Sequence, residues 1–307
     1  METTALPPIE AVLKHIANSS GPLRSSKFTG LSSLGSGEVG KFEKAWAGIE
    51  LRRRRQIINR LVELAEDDAQ LDFDSVFKSC LKDTDEEVRS KAIEGLWESE
   101  DTSLIGPLSS LLEQDASKKV QAAAATALGK FVMLAELEKL RSSYKPRIES
   151  ALLSVLGDEN RSVEVKRRAL EAVAPLSLPE VKKAIAEAYQ SRNPKIKVSA
   201  IYAMGKNCDS SWLNDLLGEL SNASAEIRYE ACGACGEIGD EDAVPYLIEL
   251  VGDRDTEVRL AAVRALGKIG GAEAERCLKQ LLVNTSELIQ QAAEEALDEL
   301  GFEEWLF

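Results

Sequence analysis

The amino-acid sequence predicts an all-α fold, an α-solenoid (superhelix) of stacked helix pairs. Three observations lead there: an aliphatic anchor that recurs at a near-constant interval, columns of small residues at helical spacing after it, and cap-forming side chains at a fixed distance before it. The anchors are Val88, Val120, Val165, Ile196, Ile227, Val258 and Ile289, spaced by 32, 45, 31, 31, 31 and 31 residues. A period of this length marks a supersecondary unit that buries its apolar face only by stacking on its neighbours.

Each unit reads as helix, turn, helix, and the anchor opens the apolar face of the second helix. Four residues on stand Ala92, Ala124, Ala169, Ala200, Ala231, Ala262 and Ala293; seven on stand Gly95, Ala127, Ala172, Ala203, Ala234, Ala265 and Ala296. Eight on come Leu96, Leu128, Val173, Met204, Cys235, Leu266 and Leu297. These offsets share one face of a 3.6-residue helix, and the small columns let a neighbouring helix approach closely. Three residues before the anchors lie Asp85, Ser117, Ser162, Asn193, Ser224, Asp255 and Ser286, all N-cap types. Five before lie Asp83, Asp115, Asn160, Ser191, Asn222, Asp253 and Asn284, which favour a tight turn into that helix. The first helix is read from Leu104 to Leu112, Trp212 to Leu220 and Val244 to Val251. The 45-residue interval is one period plus 14, and the surplus near Phe131 to Tyr144 is helical in pattern, a predicted helical extension.

Residues 73–300 are thus assigned to seven repeats and residues 37–72 to N-terminal capping helices, Glu38 to Trp46 and Arg52 to Glu66, with Ile57, Leu61, Leu64 and Ala65 on the packed stripe. Residues 1–36 are expected to be a flexible tail, Ser/Gly-rich over 18–36. Within it Ile9, Val12, Leu13 and Ile16 form a short amphipathic stripe that docks on the chain's own solenoid, merely frays, or serves as a tethered partner-binding helix. Residues 301–307 are an apolar tail whose Phe302, Trp305, Leu306 and Phe307 suit covering the last apolar face, or recruiting a partner if they project.

Composition narrows the function. With 44% hydrophobic, 29% charged and 5% aromatic residues the chain is globular rather than disordered or fibrous. A net charge of −14 opposes a phosphate backbone over most of the surface, so nucleic acid is disfavoured as a partner. No apolar run approaches the roughly 18 residues of a membrane span, and METTALPPIE lacks the pattern of a secretory signal. The expected location is the cytoplasm, with no membrane contact. Five cysteines, at 80, 208, 232, 235 and 277, suit reduced thiols rather than a disulfide framework. A single histidine, His15, excludes mechanisms that need two.

The segment D-R-D-T-E-V-R-L-A-A-V-R-A-L-G-K-I-G, Asp253 to Gly270, resembles a HEAT-like repeat of the short bacterial kind found in phycobilisome-lyase-type HEAT proteins. Asp83 to Leu96 and Asn222 to Gly239 carry the same pattern, and the resemblance covers about residues 73–300. It implies an α-solenoid that binds macromolecules along a curved surface; a subset of the family are enzymes or chromophore-attachment factors. The family's Asp and Arg pair matches Asp85 with Arg89 and Asp255 with Arg259, and in part Arg228, Lys166 and Lys197. Gln121 and Gln290 depart from it, so the charge ladder is expected to be incomplete. A HEAT-type metal hydroxylase is disfavoured because its histidine ligands are missing.

Cys232 and Cys235 have the spacing C-G-A-C of redox and metal sites, but they fill columns held elsewhere by Ile93 and Leu96, or Val263 and Leu266, and read as small core residues. No second pair or histidine completes a tetrahedral site, and neither a metal nor another cofactor is expected. The carboxylates fall in caps, turns and solvated faces, His15 lies in the tail, and no catalytic residue is assigned. Arg52 to Arg55 with Arg60 lie in a basic stretch, nine basic against three acidic residues over 24–60. It reads as a solvated helix face, or as a grip for an acidic partner or phosphate.

Two residues after the anchors a row is predicted to point away from the core stripe: Ser90, Ala122, Arg167, Val198, Tyr229, Leu260 and Gln291. Tyr202 follows Val198 by one turn and Arg264 follows Leu260, giving a mixed apolar, aromatic and arginine strip of the kind found at interface centres. The competing reading is that neighbouring units partly cover this row. The predicted function is a non-enzymatic scaffold or adaptor that holds a protein partner on its concave second-helix face through Arg167, Val198, Tyr202, Tyr229, Leu260 and Arg264. The alternatives are a lyase or chromophore-attachment factor of the resembled type, and a nucleic-acid binder that uses the basic stretch.

Overall fold

A computed structural model describes residues 9–18, 21, 23–283 and 285–303, with the side chains of 302 and 303 left aside. The turn residue Asn284 and the apolar side chains at Phe302, Trp305, Leu306 and Phe307 lie outside the described residues. Eighteen α-helices and no strand occur among the described residues, in two compact units, Met1–Val155 and Leu156–Phe307.

The first unit carries α1 (Ile9–Ala17), α2 (Ser25–Phe28), α3 (Ser36–Trp46), α4 (Leu51–Asp67), α5 (Asp74–Cys80), α6 (Glu86–Gly95), α7 (Ile105–Gln114), α8 (Lys118–Glu136) and, at its boundary, α9 (Lys145–Gly157). The second carries α10 (Val163–Val173), α11 (Pro179–Tyr189), α12 (Pro194–Asn207), α13 (Leu213–Glu219), α14 (Ala225–Ile238), α15 (Val244–Leu250), α16 (Thr256–Ile269), α17 (Gly271–Leu281) and α18 (Glu287–Glu303). Second helices pack side by side, α4 to α6 to α8 in the first unit and α10 through α12, α14 and α16 to α18 in the second, with first helices laid against them. Both units are stacks of helix pairs, the architecture of an α-solenoid.

The small columns explain the stacking. All seven alanines four residues past the anchors are fully buried, and six anchors are buried with them, Ile196 being half-buried. One column beyond those read from the sequence is tighter still. A Cβ added at Gly205, Gly236 or Gly267, nine residues past the anchor, would come within 2.6 Å of Ala234, 2.9 Å of Ala265 or 2.7 Å of Ala296 in the next second helix. These backbones approach as closely as they do because no Cβ stands between them.

The turns are set by paired side chains. The carboxylates of Asp83, Asp115 and Asp253 and the amide oxygen of Asn222 accept from the N-cap amides of Asp85, Ser117, Asp255 and Ser224 at 2.8 to 2.9 Å. Asp85, Ser162, Asn193 and Asp255 then cap their helices with their own side chains. The Asp–Arg ladder runs differently from the within-repeat pairing that the resemblance implies. Arg89 donates not to Asp85 but to both oxygens of Asp115 in the following repeat at 2.7 Å, and to the Asp83 carbonyl at 2.8 Å. Asp85 is taken instead by Val88 N and by Arg55. Arg259 likewise turns from Asp255 to the Asp253 carbonyl and Thr256. Arg89 reaches the turn carboxylate of the next repeat, which an N-cap amide already orients, whereas the Asp85 carboxylate is occupied by Val88 N and by two nitrogens of Arg55.

Where the ladder residues change, the contacts change with them. Lys197 stands in the arginine column and Asn222 in the aspartate column, and the carboxylate comes from Glu219, which accepts from Lys197, Tyr189 and Asn222, each at 2.7 Å. Gln121 reaches the carbonyl of Asp115 at 2.6 Å. Upstream, Arg54 gives Asp83 the same service at 2.7 Å, beside Trp46 Nε1 at 2.6 Å, so α3 and α4 form a degenerate repeat. Arg53 occupies its anchor column, buried, and donates to the carbonyl of Ile16 at 2.9 Å.

The tail expectation is corrected by this contact and its neighbours. Ile9, Val12, Leu13 and Ile16 are all buried as α1 docks on α3. Residues 25–31, expected to be flexible, form α2 and a 3₁₀ turn, and Phe28, Leu31 and Leu34 are buried. Serine and glycine dominate the composition there, but three apolar residues spaced three apart decide the structure. The predicted extension is helical only to Glu136: Glu138 adopts φ 58°, and Lys139 N and Leu140 N both turn back to the Leu134 carbonyl, ending α8.

Candidate partner-binding groove

On the second helices of the second unit, α12, α14 and α16 enclose a groove of about 200 Å³. Tyr202 and Lys206 come from α12, Tyr229, Glu230, Gly233 and Glu237 from α14, and Arg264 and Lys268 from α16. The 31-residue period places them, since equal offsets on successive second helices fall side by side. Tyr202 and Tyr229 are 38% and 37% exposed, side by side on neighbouring second helices.

Its charges are ordered along the helices. At one end Glu237 Oε1 accepts from Lys206 at 3.0 Å and from Lys268 at 2.7 Å, and Lys206 also stands 5.8 Å above the Tyr202 ring. Burial works to raise the Glu237 pKa, but the two ammonium groups prevail and hold it below the ordinary carboxylate value. Arg264, exposed beside them, makes no ion pair among the described residues. At the other end Glu230 is half-buried without a hydrogen bond or ion pair of its own among the described residues. Burial, with Glu171 and Glu226 nearby, pushes its pKa up to about 6, against the opposing effect of Arg167. Between the two ends lies Gly233, where a Cβ would meet nothing within 4 Å.

Three of the six residues expected at a partner surface line this groove: Tyr202, Tyr229 and Arg264. Val198 and Leu260 do not. They are 4% and 5% exposed, covered where second helices pack side by side, as Ser90 and Ala122 are, whereas Tyr229 and Gln291 of the same row are exposed. Arg167 is half-buried in a network of its own, donating to Ser199 and Glu164 at 2.9 Å. Lys206, Glu230, Gly233, Glu237 and Lys268 were not anticipated. The alternating Lys206, Glu237 and Lys268, ten residues past successive anchors, carry a signal visible by extending the repeat alignment two columns.

The basic stretch is largely consumed internally. Arg53 serves α1, Arg54 pairs with Asp83, Arg55 with Asp85 and Glu87, and Arg60 with Glu63 and Ser25. Arg52 is exposed. Cys232 and Cys235 are fully buried core residues; burial pushes both thiols up, Cys235 to about 12.

The model of HEAT repeats matches residues 74–148 and 213–298, together just over half of the chain. The chain belongs to the HEAT-repeat family. No curated protein matches it in sequence. Among solved structures, yeast importin-beta (Kap95p) superposes with a TM-score of 0.57 at 12% identity, over 96% of this chain and 46% of the importin chain. A Kap95:Nup1 complex gives 0.53 at 12% identity, over 96% of this chain and 46% of that one. Importin beta crystallised with ammonium sulfate gives 0.52 at 13%, over 94% and 46%. At such identity the likeness concerns the HEAT-repeat solenoid fold alone.

Proposed function

We propose that this HEAT-repeat chain is a non-enzymatic scaffold that holds a protein partner on the second-helix face of its second unit, in the groove of α12, α14 and α16. The observation that carries this reading is the pair of exposed tyrosines beside an arginine with no ion pair among the described residues, over a vacant helix floor at Gly233. Aromatic and arginine side chains are the residues that dominate interface energetics. The Kap95:Nup1 complex shows a distant structural neighbour with a protein partner, which supports the class of function and not the partner. In a pull-down from native extract, Tyr202→Ala with Tyr229→Ala, and separately Arg264→Glu, are expected to lose the same co-purifying proteins that the unaltered chain retains. Unchanged retention by both variants would remove this face from consideration.

A further inference from the structure

Within the groove, two charged groups make no hydrogen bond or ion pair among the described residues, with each other or with any other side chain: Glu230 on α14 and Arg264 on α16. Every other charge at the basic end is committed, Lys206 and Lys268 to Glu237. A half-buried carboxylate left without a donor is costly, and so is desolvating a guanidinium under a bound partner, unless the partner supplies the missing counterpart. The space between them is free because α14 carries Gly233 there. A glycine in mid-helix costs stability, and no neighbour requires this one, since a Cβ would meet nothing within 4 Å.

The register fixes a spacing. Glu230 is three residues past its anchor and Arg264 six past the next one, a difference of roughly 4.5 Å in rise between helices roughly 9 Å apart, or roughly 10 Å in all. An extended chain in the polyproline II conformation covers roughly that distance in one turn of three residues, about 3.1 Å each, and so presents side chains three positions apart on the same face.

We infer that the groove takes an extended segment of a partner protein presenting a basic residue to Glu230 and, three positions away, an acidic residue to Arg264, with an apolar residue between them over Gly233 and against the two tyrosines. The inference rests on the scaffold reading above and names the chemistry of the occupant. The charges that act on Glu230 are Arg167 from α10 and the carboxylates Glu171 and Glu226; Lys206, Glu237, Arg264 and Lys268, with the neutral Tyr202 and Tyr229, line the rest of the groove. With its carboxyl titrating at about 6 in the free protein, Glu230 loses its proton when a cation docks, so binding strengthens as pH rises.

The test is a selection of phage-displayed random twelve-residue peptides on the immobilised full chain, repeated on Arg264→Glu, Glu230→Gln and Gly233→Trp. The expected enrichment is for a basic and an acidic residue three apart around an apolar one, with Arg264→Glu exchanging the acidic preference for a basic one. The leading synthetic peptide is expected to gain about tenfold in affinity between pH 5 and pH 7.5 on the unaltered chain and to show no such gain on Glu230→Gln. Peptides that Gly233→Trp abolishes but that lack the charge pattern would overturn the inference and leave the groove standing. Peptides indifferent to Gly233→Trp, or no enrichment at all, would count against the groove itself.

Discussion

Arg228 grips both carboxylate oxygens of Asp253, the turn residue of the next repeat, at 2.8 Å each, and a third nitrogen donates to the Asn222 carbonyl at 2.8 Å. Both partners are largely buried, with 6% and 9% of the two side chains accessible. Asp253→Ala leaves a buried guanidinium without its counter-ion and removes the acceptor that orients the Asp255 amide. The expected loss is about 2 to 3 kcal/mol in urea unfolding. Replacing Arg228 as well is expected to cost far less than the sum of the single changes, which a double-mutant cycle reads directly.

Glycines in equivalent helices should respond in opposite directions. Gly205→Ala drives a Cβ to within 2.6 Å of the Ala234 Cα, a clash with backbone, and is expected to destabilise by about 1 to 3 kcal/mol. Gly233→Ala meets open space in mid-helix and is expected to stabilise by about 0.5 to 1 kcal/mol. Thermal midpoints of the two variants falling on the same side of the parent would contradict the packing described for α12 and α14.

Cys208 holds a left-handed backbone conformation, φ 53°, at the position where the next two repeats have Gly239 at φ 74° and Gly270 at φ 73°. A side chain is strained there and a glycine is not. Cys208→Gly is expected to raise stability by about 1 kcal/mol. The same substitution removes the one exposed cysteine, so reaction of the native protein with a thiol reagent should lose its fast phase.

Glu230 gives stability a pH dependence of defined sign. Its carboxyl titrates at about 6 in the folded chain against 4.5 for the unperturbed group, so the folded state holds the extra proton between those values. Stability from this group therefore falls as pH rises through that window. Glu230→Gln is expected to be more stable than the parent at pH 7.5 by about 1 kcal/mol, the full shift being discounted for solvent screening, and no more stable at pH 4. Equal gains at both pH values would show that desolvation of the charge is not what the substitution relieves.

Most of the fold was legible because repetition averages local noise: seven anchors and seven alanines each pointed to the same buried face. Composition misled where a few apolar residues outweighed it, as Phe28, Leu31 and Leu34 do in the Ser/Gly-rich stretch. The surface was harder to read. The offset of Val198 and Leu260 lies outside the core stripe of one helix, but burial there is decided by the neighbouring helix, which a single-helix projection omits. The pairing of Arg89 was missed for a related reason: its carboxylate belongs to another repeat, 26 residues away.

Ala234 and Ala265, which Gly205 and Gly236 approach so closely, line the same groove as the tyrosines of α12 and α14. Helices locked at that distance have no looser arrangement from which to tighten, so the surface a partner meets is already in its final form. Association with the proposed partner is then expected to proceed without a conformational step: stopped-flow mixing should show a single relaxation whose rate rises linearly with partner concentration, with little ordering entropy lost on the side of this chain.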